Sequence, residues 1–139
     1  MSIFISLLLA CIFIMLALLH FYWGAGGMWG KLAALPSTEK GDLVINPKIF
    51  ECVVVGLGLL GFAGLSLQKI HLLNFHIDFL NTYGIWLIIG IFSLRALGEF
   101  KYVGLFKKIK NTTFGRLDTK FYTPLCLFIS GLGLLLELS

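Results

Sequence analysis

Polar and charged residues divide the chain into four long apolar stretches, which are residues 3–22, 49–67, 79–97 and 121–138. About 20 helical residues cross a hydrocarbon core of about 30 Å, and lipid offers the backbone no hydrogen-bond partners. The pattern therefore predicts four transmembrane helices in an all-α, up-down bundle. We expect residues 1–139 to form a single integral membrane domain.

Composition also indicates a membrane protein. Hydrophobic residues make up 58% of the chain and charged residues 13%, whereas soluble domains contain about 45–50% and about 25%. A soluble core of this size would leave much of the apolar surface exposed to water. The composition therefore argues against an ordinary soluble enzyme.

The second apolar stretch contains a motif that is spelled like a dinucleotide-binding fingerprint. Gly56-x-Gly58-x-x-Gly61 follows three valines, and Asp78 lies near the distance expected for a ribose-binding acid. The residues after the glycines stay apolar as far as Lys69, however, and a dinucleotide fold needs alternating strands and helices. The sequence therefore favours a membrane helix over a nucleotide site.

Two features shape this second helix. Asn46-Pro47 is typical of a helix N-cap followed by proline in the first turn. Glycines that recur every three residues allow another helix to pack closely. These glycines are Gly58, Gly61 and Gly64. They predict a contact with a neighbouring helix. That helix can belong to the same chain, to a second copy of the chain or to a partner membrane protein.

Basic residues are concentrated in the first and third loops, whereas the middle loop has only Lys69. They are Lys31, Lys40 and Lys48 in the first loop and Lys101, Lys107, Lys108, Lys110, Arg116 and Lys120 in the third. Loops rich in Lys and Arg tend to stay in the cytoplasm. We therefore expect both of these loops to be cytoplasmic and both termini to lie outside.

Polar side chains gather where the four helices would meet the cytoplasmic face. They are His20, Tyr22, Trp23, Glu51, Arg95, Glu99, Asp118 and Tyr122. Ionisable groups within a membrane usually face a bundle interior or a wet cavity. The layer is predicted to be either a ligand-binding pocket or a structural ion-pair network. Arg95 is expected to face inward and to pair with Glu99 or Glu51.

The third loop contains a basic amphipathic segment. Tyr102, Phe106 and Ile109 recur at helical spacing among four lysines, which are Lys101, Lys107, Lys108 and Lys110. Such a segment is expected to lie on the inner leaflet as an interfacial helix and to contact anionic lipid headgroups. Positive-inside topology already explains the net charge of +4, so nucleic-acid binding is not predicted.

No cofactor or metal site is predicted. Cys11, Cys52 and Cys126 lie in three different helices and form neither a disulfide framework nor a C-x-x-C motif. His71 and His76 in the middle loop are spaced i, i+5, which does not align two ligands on one helix face.

The polar motifs also carry a family resemblance over nearly the whole chain. They are His20-x-Tyr22-Trp23, Gly26-Gly27, Pro36, Arg95-x-x-Gly98-Glu99-Phe100, Gly104-x-Phe106-Lys107, Phe114, Asp118 and Tyr122-x-Pro124-Leu125-Cys126. Together they resemble a bacterial family of small four-helix membrane proteins that is catalogued as a domain of unknown function. The resemblance implies a four-helix fold in the bacterial inner membrane, and it implies no reaction.

Three classes of function stay open. The first is binding or transport of a small polar or lipid-headgroup ligand at the polar layer. The second is a membrane enzyme in which His20, Glu51 or Glu99 acts as an acid or base. The third is a non-catalytic accessory subunit that packs through the glycines of the second helix. Because no nucleophile, base and orienting group stand together in the pattern, binding is preferred over catalysis.

Overall fold

The computed structural model describes residues 1–139 and is all-helical, apart from an isolated bridge between Ser37 and Leu43. Its helices are α1 (Ser2–Gly24), α2 (Ile49–Gln68), α3 (Asp78–Leu97), α4 (Thr113–Leu117) and α5 (Thr123–Leu138), with one 3-10 turn at Leu32–Ala34. α1, α2, α3 and the continuous span from Thr113 to Leu138 are long and apolar enough to cross a membrane. The predicted four-helix membrane fold is confirmed.

The fourth span begins at Thr113, well before the predicted start at residue 121. Thr112 caps it, because its hydroxyl oxygen accepts a hydrogen bond from Gly115 N at 2.9 Å. A π-helical turn at Asp118–Tyr122 joins α4 to α5. Pro124 follows in the first turn of α5, where a missing N–H is tolerated. The polar residues of this segment are thus held on a helix rather than in a loop.

The helices pack as two close pairs, α1 with α2 and α3 with α5, and the pairs touch each other less extensively. Both chain termini and the α2–α3 loop lie at one end, which we call the termini end. The Ser2 and Ser139 hydroxyl oxygens are 2.9 Å apart there. The α1–α2 loop (25–48) and the α3–α4 loop (98–112) lie at the opposite end, which we call the loop end.

The core fills the part of the bundle nearer the termini end. Its fully buried side chains include Leu9, Phe13, Ile88, Ile129 and Leu136. Phe13 contacts the rings of Phe62 and Phe92, with centroid distances of 5.6 and 5.5 Å. Because these aromatic side chains come from α1, α2 and α3, they join the two helix pairs near mid-bundle.

One prediction about α2 was wrong in detail, whereas contact of its glycines with a second copy or a partner protein stays a prediction. The helix begins at Ile49 with Lys48 at the N-cap, so Asn46-Pro47 precedes the helix rather than starting it. The close approach to α1 occurs at Gly56, where an added Cβ would lie 2.5 Å from the Phe21 ring. An added Cβ at Gly58 or Gly61 would meet nothing within 4 Å. These two glycines therefore make no close helix contact within the chain.

Candidate functional site

A buried carboxylate organises the loop end. Asp118 is fully buried on the π-helical turn. Its Oδ1 atom accepts a hydrogen bond from Arg95 Nη2 at 3.1 Å. Its Oδ2 atom accepts one from the Gly104 backbone N–H at 2.8 Å and lies 3.3 Å from Lys107 Nζ. Two cations and a backbone donor thus satisfy one acid, which makes its burial tolerable.

The α3–α4 loop reaches Asp118 because it folds back tightly on the end of α3. Leu105 N donates to Ala96 O at 2.8 Å. Gly98 and Gly104 both have positive φ angles, 78° and 94°. An added Cβ at Gly104 would lie 2.3 Å from the Leu97 carbonyl oxygen. Glycine at both positions therefore permits the crossing that places the Gly104 N–H on Asp118.

The same fold corrects the prediction of an interfacial helix. Residues 98–112 form turns and bends with no helix. Lys107 is only 3% exposed, and its amine also donates to Gly104 O and Thr119 Oγ1, at 3.1 and 2.5 Å. Lys107 is therefore not a headgroup-contacting lysine. Lys101, Lys108 and Lys110 are exposed, and their contact with anionic headgroups stays a prediction.

Arg95 pairs with an acid that sequence reasoning did not choose. Glu99 instead accepts hydrogen bonds from the backbone N–H groups of residues 101, 102 and 103. Glu51 accepts one from Lys48 N at 2.7 Å, at the start of α2. Both predicted partners thus bind nearby backbone N–H groups, and the guanidinium bonds to Asp118. The Nη1 atom of Arg95 is buried and has no hydrogen-bond partner.

Arg95 also lines a cavity of about 520 Å³ between the two helix pairs. Ligand pockets in proteins commonly measure about 300–1,000 Å³. Apolar side chains form most of the wall, and Phe62 and Phe92 lie on the side that faces the core. The polar lining groups come from the loop ends of α1, α3 and the fourth span, and they are His20, Trp23, Arg95, Tyr122 and Cys126.

His20 is held in place by α1 itself. Its Nδ1 atom lies 2.7 Å from the Leu16 carbonyl oxygen, which can only accept a hydrogen bond. Nδ1 therefore carries the proton, and Nε2 makes no hydrogen bond within the chain. The imidazole also packs edge-on against Trp23, with a centroid distance of 5.1 Å. One ring nitrogen is thus left available in the lining of the cavity.

Tyr122 ties the α1–α2 loop to the start of α5. Its hydroxyl donates to the Ala33 carbonyl oxygen at 3.1 Å, and its ring lies 5.7 Å from the Phe114 ring. Ala34, the next residue in the loop, lines the cavity together with Tyr122. This contact holds the α1–α2 loop beside the cavity at the loop end.

The side of the cavity is more open. Val55, Gly58 and Ile91 belong to its lining and are exposed on α2 and α3. In a bilayer this rim faces lipid, because it lies on the apolar flanks of two membrane-length helices. A smaller cavity of about 150 Å³ adjoins it, sharing His20 and Trp23 and adding Glu51 and Lys31 to the wall.

The structure brings together only part of the predicted polar layer. His20, Trp23, Arg95 and Tyr122 share the larger cavity, Asp118 pairs with Arg95, and Glu51 lines the adjoining cavity. Tyr22 and Glu99 are exposed, and neither lines either cavity.

Sequence reasoning missed the structural role of Lys107. The helical spacing of Tyr102, Phe106 and Ile109 suggested that the lysines around them lie on the surface. The signal in the sequence was Gly104-x-Phe106-Lys107, in which a glycine lies three residues before the lysine. That glycine permits the backbone crossing that buries the amine beside Asp118.

The arrangement suits binding better than bond-breaking chemistry. No carboxylate contacts His20 to orient it as a catalytic base, and Asp118 is already occupied by two cations. Residues with the spacing of a three-ligand metal site are absent. A mostly apolar wall with a few convergent polar groups is the usual form of a small-molecule site.

Four membrane-length helices around a buried charge cluster define a small multi-pass membrane protein. The chain belongs to a family described as "Protein of unknown function (DUF3995)", which matches residues 13–133. This membership confirms the resemblance to a four-helix family of unknown function. Neither a curated protein nor a solved structure matches the chain.

Proposed function

We propose that this protein binds a membrane amphiphile, which is a mainly apolar molecule with one polar end. The observation that carries the proposal is the cavity of about 520 Å³, apolar toward the core and polar toward the loop end. A purely polar metabolite would leave the apolar wall poorly matched, and a pure hydrocarbon would leave the polar groups without partners.

The exposed rim supports access from the bilayer. Val55, Gly58 and Ile91 form an apolar edge between α2 and α3, and the two helix pairs contact each other less than the helices within each pair. An amphiphile already dissolved in lipid would enter sideways with its head directed to the loop end. It would not need to pass the contact between Tyr122 and Ala33 at the loop end.

Blocking the rim tests the proposal. Gly58→Leu adds a side chain at the cavity edge without a clash, because a Cβ there meets nothing within 4 Å. Gly131→Leu is the matched control, since Gly131 is also an exposed helical glycine with open space and lies outside the cavity. Palmitate adducts would be counted by native mass spectrometry. Loss of adducts in Gly58→Leu alone supports the proposal, and equal adducts in both variants contradict it.

We also propose that the loop end faces the cytoplasm of a bacterial inner membrane, with both termini outside. The clustering of Lys and Arg in the two loops at that end supports this orientation. Reporter fusions at Ser139 and within 105–110 provide the test. A cytoplasmic reporter signal from Ser139 would contradict it and would move the cavity to the outer leaflet.

Self-association through α2 is a second proposal with its own observation. Gly61 is exposed, does not line the cavity and has no close contact within the chain, and such a glycine allows another helix to pack closely. Gly61→Leu would lower the oligomeric mass measured in nanodiscs if this face joins two copies. An unchanged mass would contradict this proposal and leave ligand binding unaffected.

A further inference from the structure

We infer that the polar end of the bound amphiphile is an anion, carboxylate or phosphate, which binds the guanidinium of Arg95. The inference rests on the proposed amphiphile-binding function and specifies the chemical class of the ligand. Its basis is an imbalance of charge and of hydrogen bonds beside the cavity.

The charge imbalance follows from the groups around Asp118. Arg95 and Lys107 each carry one positive charge, and Asp118 is the single acid that pairs with them. The cluster therefore has one positive charge more than negative charge. Lys107 and Asp118 are almost completely buried, so water screens this excess poorly. An anion in the adjoining cavity would neutralise the excess.

The other acids at the loop end do not supply this negative charge. Glu99 is exposed and binds the N–H groups that follow α3. Glu51 is exposed at the start of α2, where it binds Lys48 N. Neither acid forms an ion pair with Arg95 or Lys107. Asp118 is thus the one acid of the chain that pairs with either cation.

The hydrogen-bond imbalance identifies Arg95 as the binding cation. The Lys107 amine donates hydrogen bonds to Gly104 O and Thr119 Oγ1 and lies 3.3 Å from Asp118 Oδ2, so the chain itself surrounds it with acceptors. Arg95 bonds to Asp118 through Nη2, and its buried Nη1 has no partner. Its side chain remains about one-third exposed and lines the cavity. A small turn of the guanidinium presents Nη1 to a ligand oxygen while Nη2 keeps Asp118.

His20 offers a second contact for the head. Its Nδ1 is bonded to Leu16 O, and Nε2 is available in the lining of the same cavity. A phosphate that retains one proton can donate it to Nε2 and still be an anion, whereas a carboxylate can only accept from Nε2 when the ring is charged. His20 therefore orients either anionic head without supplying the charge on which the inference depends.

Chain-matched probes test the charge of the head. Affinities of the purified protein in neutral nanodiscs would be measured for palmitate, hexadecyl phosphate, hexadecan-1-ol and hexadecylamine. The two anions are expected to bind at least tenfold more tightly than the alcohol and the amine. Acetate and inorganic phosphate, which lack the chain, are included to separate a lipid-type ligand from a free anion, and they are expected not to bind.

Variants then assign the effect to Arg95. Arg95→Gln should lower the affinity for both anions at least tenfold and leave the alcohol unchanged. Lys108→Gln is the control, because it removes one exposed positive charge at the same end without touching the cavity. It should leave every affinity within twofold. If Arg95→Gln fails to fold, as judged by circular dichroism, the probe series on the unchanged protein still decides the question.

The outcomes separate the two claims. If palmitate and hexadecan-1-ol bind the unchanged protein equally, the inference about the anion is overturned and the amphiphile-binding function stands. If no chain-bearing probe binds, or Gly58→Leu leaves their binding unchanged, the proposed function itself fails. If acetate binds as tightly as palmitate, the site takes a free anion and the lipid-type ligand is excluded.

Discussion

The two ends of the bundle are built on different principles. Toward the termini end, the side chains of Leu9, Phe13 and Leu136 are almost completely buried and belong to one apolar cluster between the helices. Toward the loop end the helix pairs enclose a cavity, and buried charges hold the surrounding segments. The first half depends on close packing, which drives helix association in lipid. The second depends on a few polar contacts, so it should be far more sensitive to single substitutions.

The ion pairs show the same contrast. Asp118 is completely buried with its two cations at the loop end. At the termini end, Lys69 Nζ lies 2.9 Å from Glu137 Oε2, and the two side chains are 32% and 17% exposed. Breaking a buried pair leaves an uncompensated charge, whereas partly exposed pairs contribute little. The position of a salt bridge along the bundle therefore decides its energetic weight.

Asp118→Ala should have the largest effect, because it leaves the buried Lys107 without its acid and also removes the partner of the partly exposed Arg95. The free energy of unfolding should fall by about 3–5 kcal/mol. Thermal unfolding in detergent followed by circular dichroism measures the loss. Adding Lys107→Met should recover part of it, since one unpaired charge is then removed. If Asp118→Ala unfolds at the same temperature as the unchanged protein, the charge cluster does not stabilise the loop end.

Gly104→Ala should cause the second-largest loss in the free energy of unfolding, because it disturbs the backbone crossing that reaches Asp118. A positive φ in a residue other than glycine costs roughly 1–3 kcal/mol, and the added Cβ would also lie 2.3 Å from Leu97 O. Increased proteolysis of 98–112 would report the opened loop. Gly90→Ala is the control, because its Cβ meets nothing within 4 Å, and alanine favours the helix by up to about 1 kcal/mol. Equal behaviour of both variants would contradict the role of the crossing.

Phe13→Ala tests the packed half. Phe13 is 0% exposed and contacts Phe62 and Phe92. Truncating a buried phenylalanine to alanine costs about 3–5 kcal/mol in a soluble core, but an apolar lipid environment removes most of the transfer part of that cost. The remaining void, on the order of 100 Å³, costs roughly 2 kcal/mol at about 24 cal/mol per Å³. Ile14→Ala is the control, since Ile14 is exposed on the next position of the helix. The same unfolding measurement should separate the two variants, and a larger loss in Ile14→Ala would disprove the packing argument.

Glu137→Gln should have the smallest effect. It breaks the partly exposed pair with Lys69, so the loss should be below about 1 kcal/mol. Because salt screens exposed charges, the difference from the unchanged protein should shrink further in 0.5 M salt. If the free energy of unfolding falls as much as in Asp118→Ala, the proposed difference between the two ion pairs is wrong.

The helices were predictable because their signal is local. Apolar runs of membrane length predict helices wherever lipid surrounds the backbone, and α1, α2 and α3 begin and end within two residues of their predicted limits. The start of the fourth span was missed by eight residues, from 121 to 113. Its first turns carry Arg116, Asp118 and Lys120, and hydropathy does not distinguish a polar helical turn from a loop.

The partners of the polar residues were not predictable in the same way. The sequence shows that Arg95 lies within a membrane helix and needs an acid, and Glu99 is the nearest candidate at i, i+4. The backbone N–H groups of residues 101–103 compete for Glu99, which leaves Arg95 to Asp118, 23 residues away. Spacing along the chain favours the acid that is nearest in sequence. Only the folded loop shows that this acid already accepts hydrogen bonds from the backbone.

By itself, then, the sequence determined the membrane class, the four helices and the end of the bundle where polar groups collect, because each follows from hydropathy and charge counted along the chain. The tertiary structure alone decided that Lys107 is buried rather than on the surface, that Asp118 joins it to Arg95, and that a cavity lies beside them. Those features depend on the glycine crossing after α3 and on unequal packing between the helix pairs. Contacts between distant segments create them, and no periodic pattern along the chain records such contacts.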